Sequence, residues 1–143
     1  WTFYMIEDID LYKEYITGTL DDCIKQNKRK FVLYPNGEIT NIVKQVLDNV
    51  YNITPVFIVD NYKYDQKSVF NFEKAVQMTD RDMYYLVCSD NDLYYNEIRN
   101  TLRRYIKDEQ IVDLFPDINA LEYIDNACKL LKELDEKIAD MEI

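Results

Sequence analysis

The chain has 143 residues, 48% hydrophobic and 31% charged, so it is long enough for one globular domain with a real core. A net charge of −10 sets it against phosphate backbones, which excludes general nucleic-acid binding. Histidine is absent, so Ser-His-Asp triads are excluded and the usual zinc ligand and commonest general base are missing.

The first periodic segment is Ile6, Ile9, Tyr12, Ile16, Leu20 and Ile24, spaced by three or four residues. It predicts an amphipathic helix over Asp8 to Gln26, with an interruption near Gly18. The basic run Lys28-Arg29-Lys30 reads as a solvated loop leading into a strand. Lys30 to Tyr34 is that strand, and Pro35-Asn36-Gly37-Glu38 breaks it. Ile39, Ile42, Val43, Val46, Leu47 and Val50 line one face of a helix over Glu38 to Tyr51. Pro55 to Val59 is apolar at nearly every position, as in a parallel strand covered on both faces. Asp60-Asn61 closes it.

Tyr62 to Gln66 reads as a loop, Ser68 to Phe70 as a short strand, and Phe72 to Met78 as a short helix capped by Asn71. Met83 to Cys88 is a central strand, and Ser89-Asp90-Asn91-Asp92 turns the chain, with Asp90 or Asp92 as cap of the next helix. That helix spans Leu93 to Ile106, and a last strand, Gln110 to Leu114, ends at Pro116. Alternating strands and helices with short connections predict an α/β fold: a three-layer, Rossmann-like parallel sheet of about five strands in the order 3-2-1-4-5, flanked by helices, with extra helices at both ends. The corresponding segments are 1–29, a helical lead; 30–116, the Rossmann-like domain; and 117–143, a C-terminal amphipathic helix.

In that last helix Ile124, Ala127, Leu131, Leu134, Ile138 and Met141 occupy a and d heptad positions. Two readings stand open: packing on the sheet or the first helix, or self-association and a lead into a further domain. No stretch of about 18 apolar residues exists, so no membrane span is expected. Position 1 is Trp, which suggests a piece of a longer protein. Cys23, Cys88 and Cys128 are dispersed and odd in number, which suits buried thiols in a reducing cytoplasm.

The chemistry, if present, belongs at the carboxyl edge of the strands. A dinucleotide loop needs three glycines, for the tight turn, for approach to the pyrophosphate and for helix–strand packing. The equivalent positions here are Pro35, Gly37 and Thr40. Pro35 has no N–H for a phosphate, and Glu38 places a carboxylate where an anion would sit. Asp60 is either the acceptor for a ribose hydroxyl or a strand-end turn residue. Ser89 and Asp90 lie at the same edge, where a sugar hydroxyl or a cation would be met. Tyr34, Tyr62 and Tyr64 either stack on a base or sugar or pack structurally.

The run Phe31 to Ile39, followed by Phe57-Ile58-Val59-Asp60-Asn61, resembles the Rossmann-like domain of bacterial surface-polysaccharide proteins. Tyr34, Gly37, Glu38, Asp60, Asn61 and Ser89 match that pattern over Lys30 to Phe115, whereas Pro35 and Thr40 depart from it. The resemblance implies an accessory domain of a glycosyltransferase, an FkbM-type methyltransferase or a sugar acyltransferase. It also implies a missing transferase domain in the same chain. It would bind NAD or a sugar nucleotide through Tyr34, Asn36, Gly37, Glu38, Asp60, Asn61, Ser89 and Asp90, or serve as scaffold with a degenerate loop. No catalytic residue and no metal ligand is expected, and an autonomous enzyme is the least favoured reading.

Overall fold

The computed structural model describes residues 8–115 and 118–141 of the chain. An 18-residue helix, α1 (Asp8–Lys25), leads into β1 (Lys30–Tyr34), α2 (Glu38–Tyr51) and β2 (Phe57–Val59). Then come β3 (Val69–Phe70), α3 (Phe72–Met78), β4 (Met83–Val87) and α4 (Asp92–Tyr105). A 3-10 turn (Asp108–Gln110), β5 (Ile111–Val112) and α5 (Ile118–Met141) complete the described chain.

The five strands are all parallel, in the order β3-β2-β1-β4-β5, as the alternation predicts. β1 is the centre: Val32 pairs with Phe57 on one side and with Tyr85 on the other. Parallel strands require crossovers, and right-handed crossovers fix the layers. The chain moves outward from β1 to β2 through α2. It returns past the centre to β4 through α3, then moves outward to β5 through α4. α2 therefore lies on one face and α3 and α4 on the other. α1 packs beside α2.

The apolar runs become strands because both faces are covered. Phe31, Val32 and Leu33 in β1 and Tyr85, Leu86 and Val87 in β4 have no exposed surface. Full burial of each such side chain stabilises the fold by about 1.5–3 kcal/mol. α2 buries Ile39, Val43, Val46 and Leu47 on the sheet and ends at Asn52, whose φ of 55° reverses the chain. Asn71 caps α3 as expected, its Oδ1 accepting the Lys74 N–H at 2.9 Å.

Four expectations need correction. α1 runs unbroken through Gly18: Ile16 and Leu20 on either side are fully buried, and that packing outweighs a glycine's cost of about 1 kcal/mol. The cap of α4 is Asn91, not Asp90 or Asp92; its Oδ1 accepts the Tyr94 N–H at 3.0 Å. β2 begins at Phe57 rather than Pro55. β5 has only two residues, because Gln110 closes the 3-10 turn and spends its side-chain amide on the Asp80 and Met83 carbonyls at 2.8 and 3.0 Å. Pro116, offered as the end of that strand, and the side chains of Ile124 and Cys128 lie outside the described residues.

Where described, the heptad face of α5 is largely open: Ala127 is exposed, as are Leu131 (39%), Leu134 (47%) and Met141 (83%), while Ile138 is half-buried. No described helix is long and apolar enough to cross a membrane.

Candidate functional site

The carboxyl ends of β1, β2 and β4 deliver the candidate residues to one edge. The β1–α2 corner begins with a cis Tyr34–Pro35 bond. Two N–H groups follow, and both are taken. The Asn36 N–H donates to Asp60 Oδ2 at 3.1 Å, and the Gly37 N–H donates to Thr40 Oγ1 at 3.1 Å. The Thr40 hydroxyl in turn donates to the Pro35 carbonyl. Thr40 has no exposed surface and is the third residue of α2, so it ties the loop down from inside the helix. Where the resembled pattern has a glycine for close packing, this chain has a hydroxyl that closes the turn.

Gly37 itself is extended, with φ of −146°, and an added Cβ would meet no protein atom within 4 Å. Neither left-handed backbone nor a close protein approach requires a glycine there. Glu38, exposed, begins α2 and complements its dipole.

Asp60 is buried, and its carboxylate is committed to the backbone. Oδ1 accepts the Tyr62 and Lys63 N–H groups, both at 2.8 Å, while Oδ2 holds Asn36. Three of about four acceptor positions are thus used within the protein. Both sequence readings of this residue concern its lone pairs, and the turn reading describes where they go.

Asn61 is similarly engaged: Oδ1 accepts the Phe72 N–H at 2.8 Å and Nδ2 reaches the Tyr34 hydroxyl at 3.4 Å. Ser89 is buried and its Oγ accepts the Asn91 N–H at 3.3 Å. The Asp90 side chain instead bonds the Tyr12 hydroxyl of α1 at 3.3 Å. Tyr34, Asn36, Asp60 and Asn61 therefore form one connected group. Gly37 and Glu38 sit beside it, and Ser89 and Asp90 belong to the β4–α4 corner.

Two open spaces adjoin the group on the α3–α4 side. A cavity of about 150 Å³ is lined by Tyr34, Asn61, Tyr62, Tyr94 and Glu97, among others. A wider groove of about 580 Å³ continues past Asn61 and Thr101 to Phe72, Gln77 and Tyr105. Tyr34 is held by an edge-on contact with Phe72, 5.6 Å between ring centres, a packing contact that also leaves the residue on the cavity wall. Tyr62, by contrast, is 88% exposed, and Tyr64 lines neither space. Burial, then the nearby Tyr94 and Asp60, push the Tyr34 phenol up to about 12. Tyr94 is raised too, by burial and then by Asp60, Tyr62 and Glu97.

Tyr94, Glu97 and Thr101 were not singled out in the sequence. Their spacing of three and four residues puts them on one stripe of α4, beside the stripe of Tyr95, Ile98 and Leu102 that faces the core. That polar, aromatic stripe at helical period was the available signal. Of the two described thiols, burial pushes Cys88 up to about 12 and raises Cys23 as well, which makes both poor nucleophiles. Among the described residues no cluster of carboxylates and thiols has the makings of a metal site.

No family model, curated protein or solved structure matches the chain.

Proposed function

We propose that this domain is a Rossmann-like accessory module of a surface-polysaccharide protein, a glycosyltransferase or a methyltransferase, that does no catalysis of its own. The observation that carries the reading is the closed β1–α2 loop. A cofactor phosphate is gripped by free loop N–H groups, and here Pro35 has none while those of Asn36 and Gly37 are spent on Asp60 and Thr40. The link to surface glycans rests on the resemblance of Phe31 to Ile39 and of Phe57 to Asn61. Calorimetric titration of the protein with NAD, UDP-glucose and S-adenosylmethionine tests it. The expected result is no saturable heat. Micromolar binding of NAD or UDP-glucose would instead establish a working nucleotide domain through Gly37, Asp60 and Ser89.

A docking or self-association role has its own support in α5. Leu131, Leu134 and Met141 repeat at heptad spacing and are exposed, so they remain available to another helix. Light scattering across a concentration series should then show a dimer that Leu134→Glu dissociates. A monomer at every concentration would remove this second role.

A further inference from the structure

Tyr34 ends β1, Tyr62 follows β2 and Tyr94 lies in the first turn of α4, yet all three wall the 150 Å³ cavity. A space of about that volume holds a benzene-sized guest. Glu97 is on the same wall, and it takes part in no salt bridge among the described residues. None of the described residues lining the cavity or the adjoining groove is a lysine or arginine. The electrostatic neighbours of Tyr34 are all phenols or carboxylates: Tyr94, Asp60, Tyr62 and Glu97. Aromatic faces and an unpaired carboxylate act in the same direction, attracting cations and repelling phosphates.

The make-up of the walls narrows the choice of cation. Three of the lining side chains are tyrosines and one is a carboxylate. A quaternary ammonium spreads its charge over methyl groups, which aromatic rings cover without hydrogen bonds while a carboxylate balances the charge. We propose that the cavity bounded by Tyr34, Tyr62, Tyr94 and Glu97 binds the head of a quaternary organic ammonium. Tyr62, at 88% exposure, has the most water-facing ring surface to cover when the guest enters. This goes beyond the accessory-module reading and does not depend on it.

The test is an NMR titration of the whole chain with choline and, separately, with 3,3-dimethylbutan-1-ol, its uncharged isostere of the same shape. Choline should saturate and bind about tenfold more tightly than the alcohol, the factor expected of a partly desolvated cation–π site. Glu97→Gln and Tyr94→Ala should each weaken choline several-fold, and Glu97→Gln, at an exposed position, should leave the melting temperature of the protein unchanged. Equal affinities for choline and the alcohol would overturn the proposal. So would tighter binding of ethanolamine than of choline, indifference to both substitutions, or no saturable choline binding. Nucleotide titration is a separate readout, so failure here and failure of the accessory-module reading are told apart.

Discussion

Replacing Thr40 by valine tests the closed loop directly. Valine has nearly the same shape, so little cavity forms, and its helix propensity is close to that of threonine. What disappears is one oxygen that accepts the Gly37 N–H and donates to the Pro35 carbonyl. Two net hydrogen bonds at about 1 kcal/mol each give a loss of about 2 kcal/mol. The Gly37 N–H is near solvent and can hydrate, whereas Thr40 is fully buried, so the cost falls mainly on the carbonyl side. For a chain of this size that loss lowers the midpoint of thermal unfolding by about 6–8 °C. Thr40→Ser keeps the hydroxyl and removes one methyl, for a loss of about 1 kcal/mol. Urea unfolding followed by far-ultraviolet circular dichroism should therefore rank wild type above serine above valine. If valine proves as stable as wild type, or more stable than serine, the hydroxyl does not hold the loop and the account of its closed donors fails.

Other consequences are measured the same way. Asp60→Ala removes the acceptor of three backbone N–H groups and should cost about 2–4 kcal/mol, a loss that a residue kept only for ligand contact would not show in the free protein. Gly37→Ala should change stability by less than about 0.5 kcal/mol, since the lower chain entropy of alanine when unfolded offsets its poorer capping. Asp65 accepts the N–H groups of Lys67, Ser68 and Val69 at 2.9, 2.9 and 3.0 Å, and these hold its carboxyl far below the ordinary value of 3.8. A depressed folded-state pKa contributes stability that is present above about pH 4 and is lost as pH falls below it. The acid limb of the stability curve should flatten in Asp65→Ala, and an unchanged limb would remove Asp65 from the account.

The elements that were legible in the sequence are those whose local pattern and tertiary burial agree. β1, α2 and α3 have the predicted bounds: a continuous apolar run, a one-sided apolar stripe and an asparagine cap each say what the packing then requires. The cap of α4 was not legible, because Ser89, Asp90, Asn91 and Asp92 are all competent caps and only the backbone's path selects Asn91. Nor was the fate of Asp60, whose Oδ2 is claimed by an N–H from residue 36, across two strands. The tyrosine-walled cavity depends on residues from positions 34, 62 and 94. Composition showed abundant tyrosine, but only the strand order brings those three together.

The sheet has two free edges, and each is minimal: β3 and β5 contribute two residues apiece. A strand that short presents too few unpaired backbone groups to template pairing with another chain. A mixed assembly built by extending this sheet sideways is therefore disfavoured, even though its interior strands are strongly apolar. Among the described residues of α5, Leu131, Leu134 and Met141 are exposed, so a contact with another chain would find apolar surface there on a helix rather than at a sheet edge. The two short rims thus guard the sheet against β-aggregation, while the described part of α5 keeps apolar side chains exposed.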